Sequence, residues 1–508
     1  MRNLLLFGVL MVLAPVLAVA VNVDKPTYSK DVAPILDANC VHCHRAGDVA
    51  PMSLRTYEEV RPWVKSMAQK VGDKQMPPWH ADPGYGPWTN DRSLSSEHIA
   101  TITRWIETGA PQGNPADRPA VAVEAERPEW IHGTPDYVFE FDPFDVPAEG
   151  PDQFRNPLHQ TNFDEDKWIA AVEIAPKAKS VVHHVILWLK DDAEQSQQGW
   201  LSAWAGGTGP DVMPKGTGRF LKKDAVIMGD MHYHAVGEAA TDVTRVGLYF
   251  ADNNEVEKEL INLWVMNAEL EIPAGDPNYE ARSTHTFAQD SHVLGLAPHM
   301  HYRGKDFAYT ATFPDGTSKE LLKVSKYDFN WQTNYIFQEP LAAPAGTRID
   351  CVAHWDNSAN NPANPDPNKT VRFGPESYDE MMIGFVDYIV DEGVRPKPTN
   401  GPIEQKIKEL AEKHPGQVFR VDIPGQGASG VHVPKEGEGG WWVSFNGVVV
   451  SARLYDIKWD GDTFTCELAV PGQALQHVEG KVDRAAGIFS FTITLDKGQK
   501  FPGQGTVL

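Results

Sequence analysis

At 508 residues the chain is too long for one ordinary domain and suggests roughly three or four, each able to bury a core. It is 41% apolar, 23% charged and 10% aromatic, the balance of a globular protein without a biased tract. A net charge of -23 argues against nucleic acid or an anionic membrane surface as partner and fits a chain kept soluble by its own repulsion.

Met1-Arg2-Asn3 precede an apolar run from Leu4 to Val19 that closes on Ala18-Val19-Ala20, the pattern of a secretory signal over residues 1–20. Cleavage after Ala20 would start the mature chain at Val21. The run is short for a membrane anchor and no later segment is apolar enough to span a bilayer. The expected location is periplasmic or secreted, with no membrane insertion after cleavage.

Of four cysteines, two fall in Cys40-Val41-His42-Cys43-His44, and C-x-x-C-H is the haem c attachment pattern. Two thioethers would fix one porphyrin and His44 would supply an axial ligand. Export fits this reading, because a cytosolic C-x-x-C would suggest zinc or a redox dithiol. Helices are expected from Tyr28 to Asn39, from Arg55 to Val71 and from Ser95 to Thr108. The last has Ile99, Ile102, Trp105 and Ile106 on one face, Ser95 as cap and Gly109 as stop. From Tyr28 to Pro111 the chain resembles small bacterial c-type cytochromes. That resemblance implies Met76, in Lys74-Gln75-Met76-Pro77-Pro78-Trp79, as the sixth ligand, with Met52 and His80 as competitors. His/Met ligation suits one-electron transfer.

After a proline-rich, acidic stretch from Gln112 to Glu129 the chain reads as short alternating runs broken by Gly, Pro, Asn and Asp, which argues for β-sandwiches. Histidines cluster in three places: His183-His184, His232-Tyr233-His234, and His299-Met300-His301. Burying so many imidazoles unpaired costs free energy repeatedly, whereas a metal uses their lone pairs. On a strand His299 and His301 project to one face and could close on copper, zinc, iron or nickel. His183 and His184, as neighbours, share an ion only at a bulge or strand end.

The His-His pair, the later His-Tyr, the His-x-His before Gly304 and Tyr378-Asp379-Glu380-Met381 together resemble the ascorbate-dependent type II copper monooxygenases, the family of peptidylglycine α-hydroxylating and dopamine β-monooxygenases, over about His159 to Val390. The resemblance implies that His183, His184 and His232 hold an electron-transferring copper, with His234 as a further same-face candidate. It implies that His299, His301 and Met381 form the catalytic site and hold the copper that meets O2. A thioether favours Cu(I), which agrees with that division. Where the peptide-amidating branch grips a substrate carboxylate with Arg and Tyr, this chain has Ala297 and Phe385, which disfavours a C-terminal glycine peptide. The disulfide partner expected after the Met is Met382, leaving Cys351 and Cys466 open to pairing with each other.

The expected architecture is multidomain. A small all-α cytochrome c domain (21–115) precedes two mainly antiparallel, jelly-roll-like β-sandwich copper domains (130–275 and 276–394) and a small mainly-β C-terminal domain (402–508) without assigned chemistry. A linker spans Arg395 to Pro402, a short helix Ile403 to Lys413, and hairpin turns fall at Asn446-Gly447 and Asp460-Gly461. Trp441, Trp442, Phe445, Tyr455 and Trp459 are read as packing of that last domain or as a ligand groove. The expected function is hydroxylation of an organic substrate C–H with O2, using two coppers, one haem c and an external donor, a redox protein or ascorbate-like reductant. The competing class is a non-enzymatic haem and copper protein that carries electrons or binds copper.

Overall fold

The computed structural model describes residues 25–119, 129–190, 199–252, 255–267, 269–374, 376–391 and most of 407–508. The signal-like segment, the linker at 395–402, the start of the helix expected at 403 and the turn at Asn446-Gly447 lie outside the described residues. The chain is mainly β, built from several sheets. No helix among the described residues is long and apolar enough to cross a membrane.

Most of the helix among the described residues lies before residue 120. A π-helical turn Tyr28–Val32 runs into Ala33–Asn39; Tyr57–Val60, Arg61–Trp63 and Val64–Gly72 follow end to end, and Ser96–Glu107 closes the set. Local chemistry sets the boundaries. Thr56 and Glu59 form a reciprocal capping box, the Ser95 hydroxyl accepts the His98 N–H, and Gly109 adopts a positive φ of 93° behind the last helix. Val32, Leu36, Val60, Ile102 and Trp105 bury their side chains together, and the Trp105 indole donates to the Pro111 carbonyl. Between the helices the chain leaves this cluster. Trp88 packs on Tyr335 and Phe337, Trp79 packs edge-on against Tyr335, and the Thr89 N–H bonds the Ile336 carbonyl, so residues 79–90 are docked on a distant sheet.

Residues 137–259 form two sheets over one core. Lys167–Ala175 is central in one sheet, and Val182–Lys190 and Val226–Tyr233 pair in the other. A second pair of sheets follows. One contains Ile261–Met266, Ile383–Val390, Ser291–His299 and Tyr335–Ala343; the other contains Tyr279–Thr286, Arg348–Trp355, Gly304–Thr312 and Ser318–Val324. Ile261–Met266 pairs along its length with Ile383–Val390, so the change of sandwich falls at Leu260 rather than at 276. Five consecutive residues from Ile261 to Val265 are covered, so both faces of this strand are buried, Trp264 against Trp188 of the first sandwich.

The C-terminal unit is a closed barrel of eight strands from Val418–Ile423 to Lys500–Val507, the first pairing with the last. Phe419, Phe464, Phe489 and Phe491 stack inside it, and a hairpin turns at Gly461. Cys466 is buried in this core and Cys351 in that of the second sandwich, and both are free thiols. Trp459 donates to the Pro434 carbonyl; the side chains of Trp441, Trp442, Phe445 and Tyr455 are outside the described set.

His285, on Tyr279–Thr286, is pushed down to about 4 by burial. Because the unfolded chain takes up this proton first, His285 leaves stability intact above about pH 6.5 and erodes it as pH falls toward 4. His285→Gln should reduce the loss of unfolding free energy between pH 8 and pH 5 by on the order of 1–3 kcal/mol, read from urea midpoints at the two pH values.

Candidate metal centres and the cavities beside them

His183 and His184 open the strand Val182–Lys190, and His232 lies opposite on Val226–Tyr233. His232 pairs with His184, but the next partners are Tyr233 and Val182, so His183 is the extra residue of a β-bulge. The bulge turns two sequence neighbours toward one point. One ring nitrogen from each of the three histidines lies within 4.8 Å of the others. The Nδ1 atoms of His183 and His184 approach to 3.1 Å, closer than two neutral lone pairs tolerate without a shared proton or ion. His232 Nε2 is held 2.7 Å from Asp152, while its Nδ1 is buried with no hydrogen-bond partner among the described residues; His183 Nε2 is likewise orphaned. Burial, reinforced by neighbouring imidazoles, pushes His183 down to about 3 and His184 well below the usual histidine range. Neutral rings with unmatched buried lone pairs are the donor set a metal ion satisfies. His234 lies past the strand end, exposed, and gives its Nδ1 to the other oxygen of Asp152 at 2.8 Å.

The second pair is built at another strand end. His299 closes Ser291–His299 and His301 stands in the turn beyond it, so the two do not share one strand as expected; their ring centroids still lie 5.2 Å apart. His299 Nδ1 bonds the Gln332 side-chain oxygen at 2.7 Å, and His301 Nδ1 lies 3.3 Å from the Asp379 carbonyl. Burial lowers His299 to about 4, and burial beside the His299 imidazole pushes His301 well below the usual histidine range. Met381 and Met382 precede the strand Ile383–Val390 rather than sit on it. Ile383 pairs with His299, which brings the residues just before it alongside the histidine turn. Met382 is fully buried, and its carbonyl accepts the Asn267 N–H.

A buried carboxylate ties these segments together. Glu380 accepts the backbone N–H groups of His301 (2.9 Å) and Arg303 (2.6 Å) and the Trp355 indole (3.0 Å). Burial pushes Glu380 up to about 7 against the pull of these donors. Its side chain thus ties the residue before Met381 to the His-x-His turn.

Two cavities border these centres. The first is walled by Cys40, Cys43, His44 and Met76 from the helical region and by His183 and His234 from the first sandwich. Met52 and His80 are not in its wall; the Met52 carbonyl instead lies 3.3 Å from His44 Nδ1, so Nε2 is the ring nitrogen left for any ligand. Apolar Val49, Pro51, Pro77 and Val182 complete a lining suited to a flat hydrophobic group, and neither Cys40 nor Cys43 is in a disulfide. The second cavity, about 290 Å³ and near the lower end of small-molecule sites, has His184 and His299, one from each centre, in its wall. Trp200, Trp204, Trp331 and Phe385 line it, as does Ala297, and Arg219 sits between Asp387 (3.4 Å) and Asp211 (3.8 Å).

The ring of Phe329 completes the arrangement. It stacks on His183 at 4.9 Å and meets His301 edge-on at 5.8 Å, so one side chain touches both centres. Sequence reasoning missed Phe329, Asp152, Gln332 and the supporting role of Glu380. No motif marks the first three, and only adjacency to Met381 pointed at the fourth.

Asp152→Asn should weaken metal binding at the first cluster about 10- to 100-fold, because the carboxylate fixes the His232 tautomer; titration of the apoprotein with Cu(II) reads this directly. Glu380→Ala leaves three buried donors without their acceptor and removes the carboxylate 4.0 Å from the Arg303 guanidinium, which keeps its bonds to Asn357 and the Tyr378 carbonyl, and should cost about 3–5 kcal/mol in chemical denaturation.

No family model matches the chain, and no curated protein matches it. Solved structures that align with it include the major capsid protein P2 of bacteriophage PM2, at 7% identity over 52% of this chain and 100% of that one, TM-score 0.22. A turret protein of Sulfolobus turreted icosahedral virus aligns at 11% identity over 50% and 100%, TM-score 0.14, and VP2 of infectious bursal disease virus at 9% over 52% and 73%, TM-score 0.15. Likeness at these scores carries no argument about fold or function.

Proposed function

We propose that this chain is a periplasmic or secreted copper-dependent monooxygenase that hydroxylates a substrate C–H bond with O2 and draws its electrons through its own haem c. The observation that carries the reading is adjacency. His183 belongs to the first histidine cluster and also walls the cavity of the C-x-x-C-H motif, while the second cavity takes one histidine from each cluster. Bound copper would supply one-electron storage and oxygen activation, and a bound haem one-electron transfer.

The protein's residues divide that work. Cys40 and Cys43 are the attachment thiols, His44 is oriented by the Met52 carbonyl, and Met76 is the sulfur donor in the same cavity wall. These features support an all-α cytochrome module. His183, His184 and His232 would hold the electron-transferring ion, with Asp152 fixing the His232 tautomer. His299, His301 and Met381 would hold the ion that meets O2, with Gln332 and Glu380 setting the turn they stand on. Trp200, Trp204, Trp331 and Phe385 give the space between the centres an aromatic wall in which an apolar substrate could lie. Ala297 and Phe385 bring no cation or hydroxyl to their part of that wall, and Arg219 across it is paired with Asp387 and Asp211, which supports a substrate other than a C-terminal glycine peptide. In the overall reaction one oxygen atom enters the C–H bond and the other leaves as water, with two electrons and two protons from an external redox protein or ascorbate-like reductant.

Metal and haem analysis of the mature protein should return about two coppers and one covalent haem per chain. Met381→Ala should retain the first-cluster copper and abolish substrate-coupled O2 uptake. Zinc in place of copper overturns the reading in favour of a non-enzymatic carrier, whereas hydroxylation undiminished in that variant overturns the assignment of Met381 to the oxygen site.

A further inference from the structure

The turn between Ser318–Val324 and Tyr335–Ala343 serves every site described above. Asn330 and Trp331 wall the C-x-x-C-H cavity, Gln332 holds His299, and Phe329 stands between the two histidine centres. The turn is held by its own bonds: the Asp328 carboxylate accepts the Asn330 N–H at 3.0 Å, and the Asp328 carbonyl accepts the Trp331 N–H at 3.0 Å. Phe329 is only 8% exposed, and its ring lies nearly parallel to His183, at 19°, and 82° from His301.

A second connection runs beside it. Tyr302, the residue next to His301, packs against Phe329 at 4.8 Å and donates its hydroxyl to Asp152 at 3.2 Å. The same Asp152 oxygen receives His232 at 2.7 Å. Two limbs therefore join the two centres: His232, Asp152, Tyr302 and His301 through hydrogen bonds and the chain, and His183, Phe329 and His301 through two ring contacts. Asp152 and His183 come from the first sandwich; Tyr302 and Phe329 come from the second.

We propose that Phe329, with the Tyr302–Asp152 hydrogen bond beside it, is the coupling junction of the two histidine centres: it fixes their spacing and is the path for the single electron that passes between them. The inference rests on the reading that both centres hold copper. The electron leaves one ion and arrives at the other with no bond made or broken, and the external one-electron donor refills the first. Phe329 and Tyr302 are positioning residues, because they act through the histidines. A buried ring in contact with imidazoles on both sides leaves no water layer to cross or reorganise, which is what separates this arrangement from two sites facing a solvent gap.

Phe329→Leu keeps an apolar side chain but removes the ring, and Phe329→Tyr restores it. With both sites loaded, Phe329→Leu should bind two coppers as the wild type does and broaden the Cu(II)–Cu(II) dipolar coupling seen by pulsed EPR. Freeze-quench EPR of the pre-reduced protein should show inter-centre electron transfer slowed roughly tenfold or more, with recovery in Phe329→Tyr. Tyr302→Phe loses only the hydroxyl, should move both readouts in the same direction by less, and carries the test if Phe329→Leu does not fold. Two bound coppers with unchanged coupling and unchanged transfer rate in these variants would overturn the inference alone. A wild-type chain that binds fewer than two coppers overturns the functional reading together with it, and the metal count separates the two outcomes.

Discussion

Trp188 of the first sandwich packs against Trp264 of the second at 5.2 Å, and Trp200 against Phe385 at the same distance. Behind this aromatic seam the Arg219 guanidinium reaches Asp387, whose other donors are Asn262 and Asn334. The charge is buried, so its worth depends on alignment of all these groups, and a small shift of one sandwich would strand it. That dependence makes the relative placement of the two sandwiches discrete rather than sliding. Both histidine centres stand on strand ends near this seam, so their separation is inherited from it.

Within each centre a similar economy operates at the scale of single rings. An imidazole has two nitrogens, and binding one of them decides what the other can do. Asp152 takes Nε2 of His232 and Gln332 takes Nδ1 of His299, from opposite sandwiches. Burial keeps His183, His184, His299 and His301 neutral, so their lone pairs are available instead of protonated. A metal ion, which accepts several lone pairs at once, would offset the part of that cost their hydrogen bonds leave.

The helical region is joined to this core rather than tethered beside it. Trp79 and Trp88 insert against Tyr335 and Phe337, and Lys179 of the first sandwich reaches Asp48 at 3.4 Å. These contacts bring the C-x-x-C-H segment to the edge of His183, where a free-standing module would leave it at the end of a linker. Trp331 and Arg92 stand in the walls of both cavities, so a change on one side of that partition is felt on the other.

Local chemistry was legible in the chain itself. The caps at Thr56 and Ser95, the face bearing Ile102 and Trp105, the alternating strands and the need for a bulge at His183-His184 all follow from residues a few positions apart. The histidine clusters and the C-x-x-C-H motif are also short-range patterns. What only the tertiary structure decided is which distant residues meet. Met76, and neither Met52 nor His80, enters the wall shared with His183; Ile261–Met266 joins the second sandwich; and eight C-terminal strands close a barrel. Asp152, Phe329 and Gln332 gain their roles from partners 80, more than 140 and 33 positions away, and no local preference encodes such a meeting. A sequence written in side-chain periods determines faces and ends of elements, while the faces that find each other are chosen by the packing of the whole.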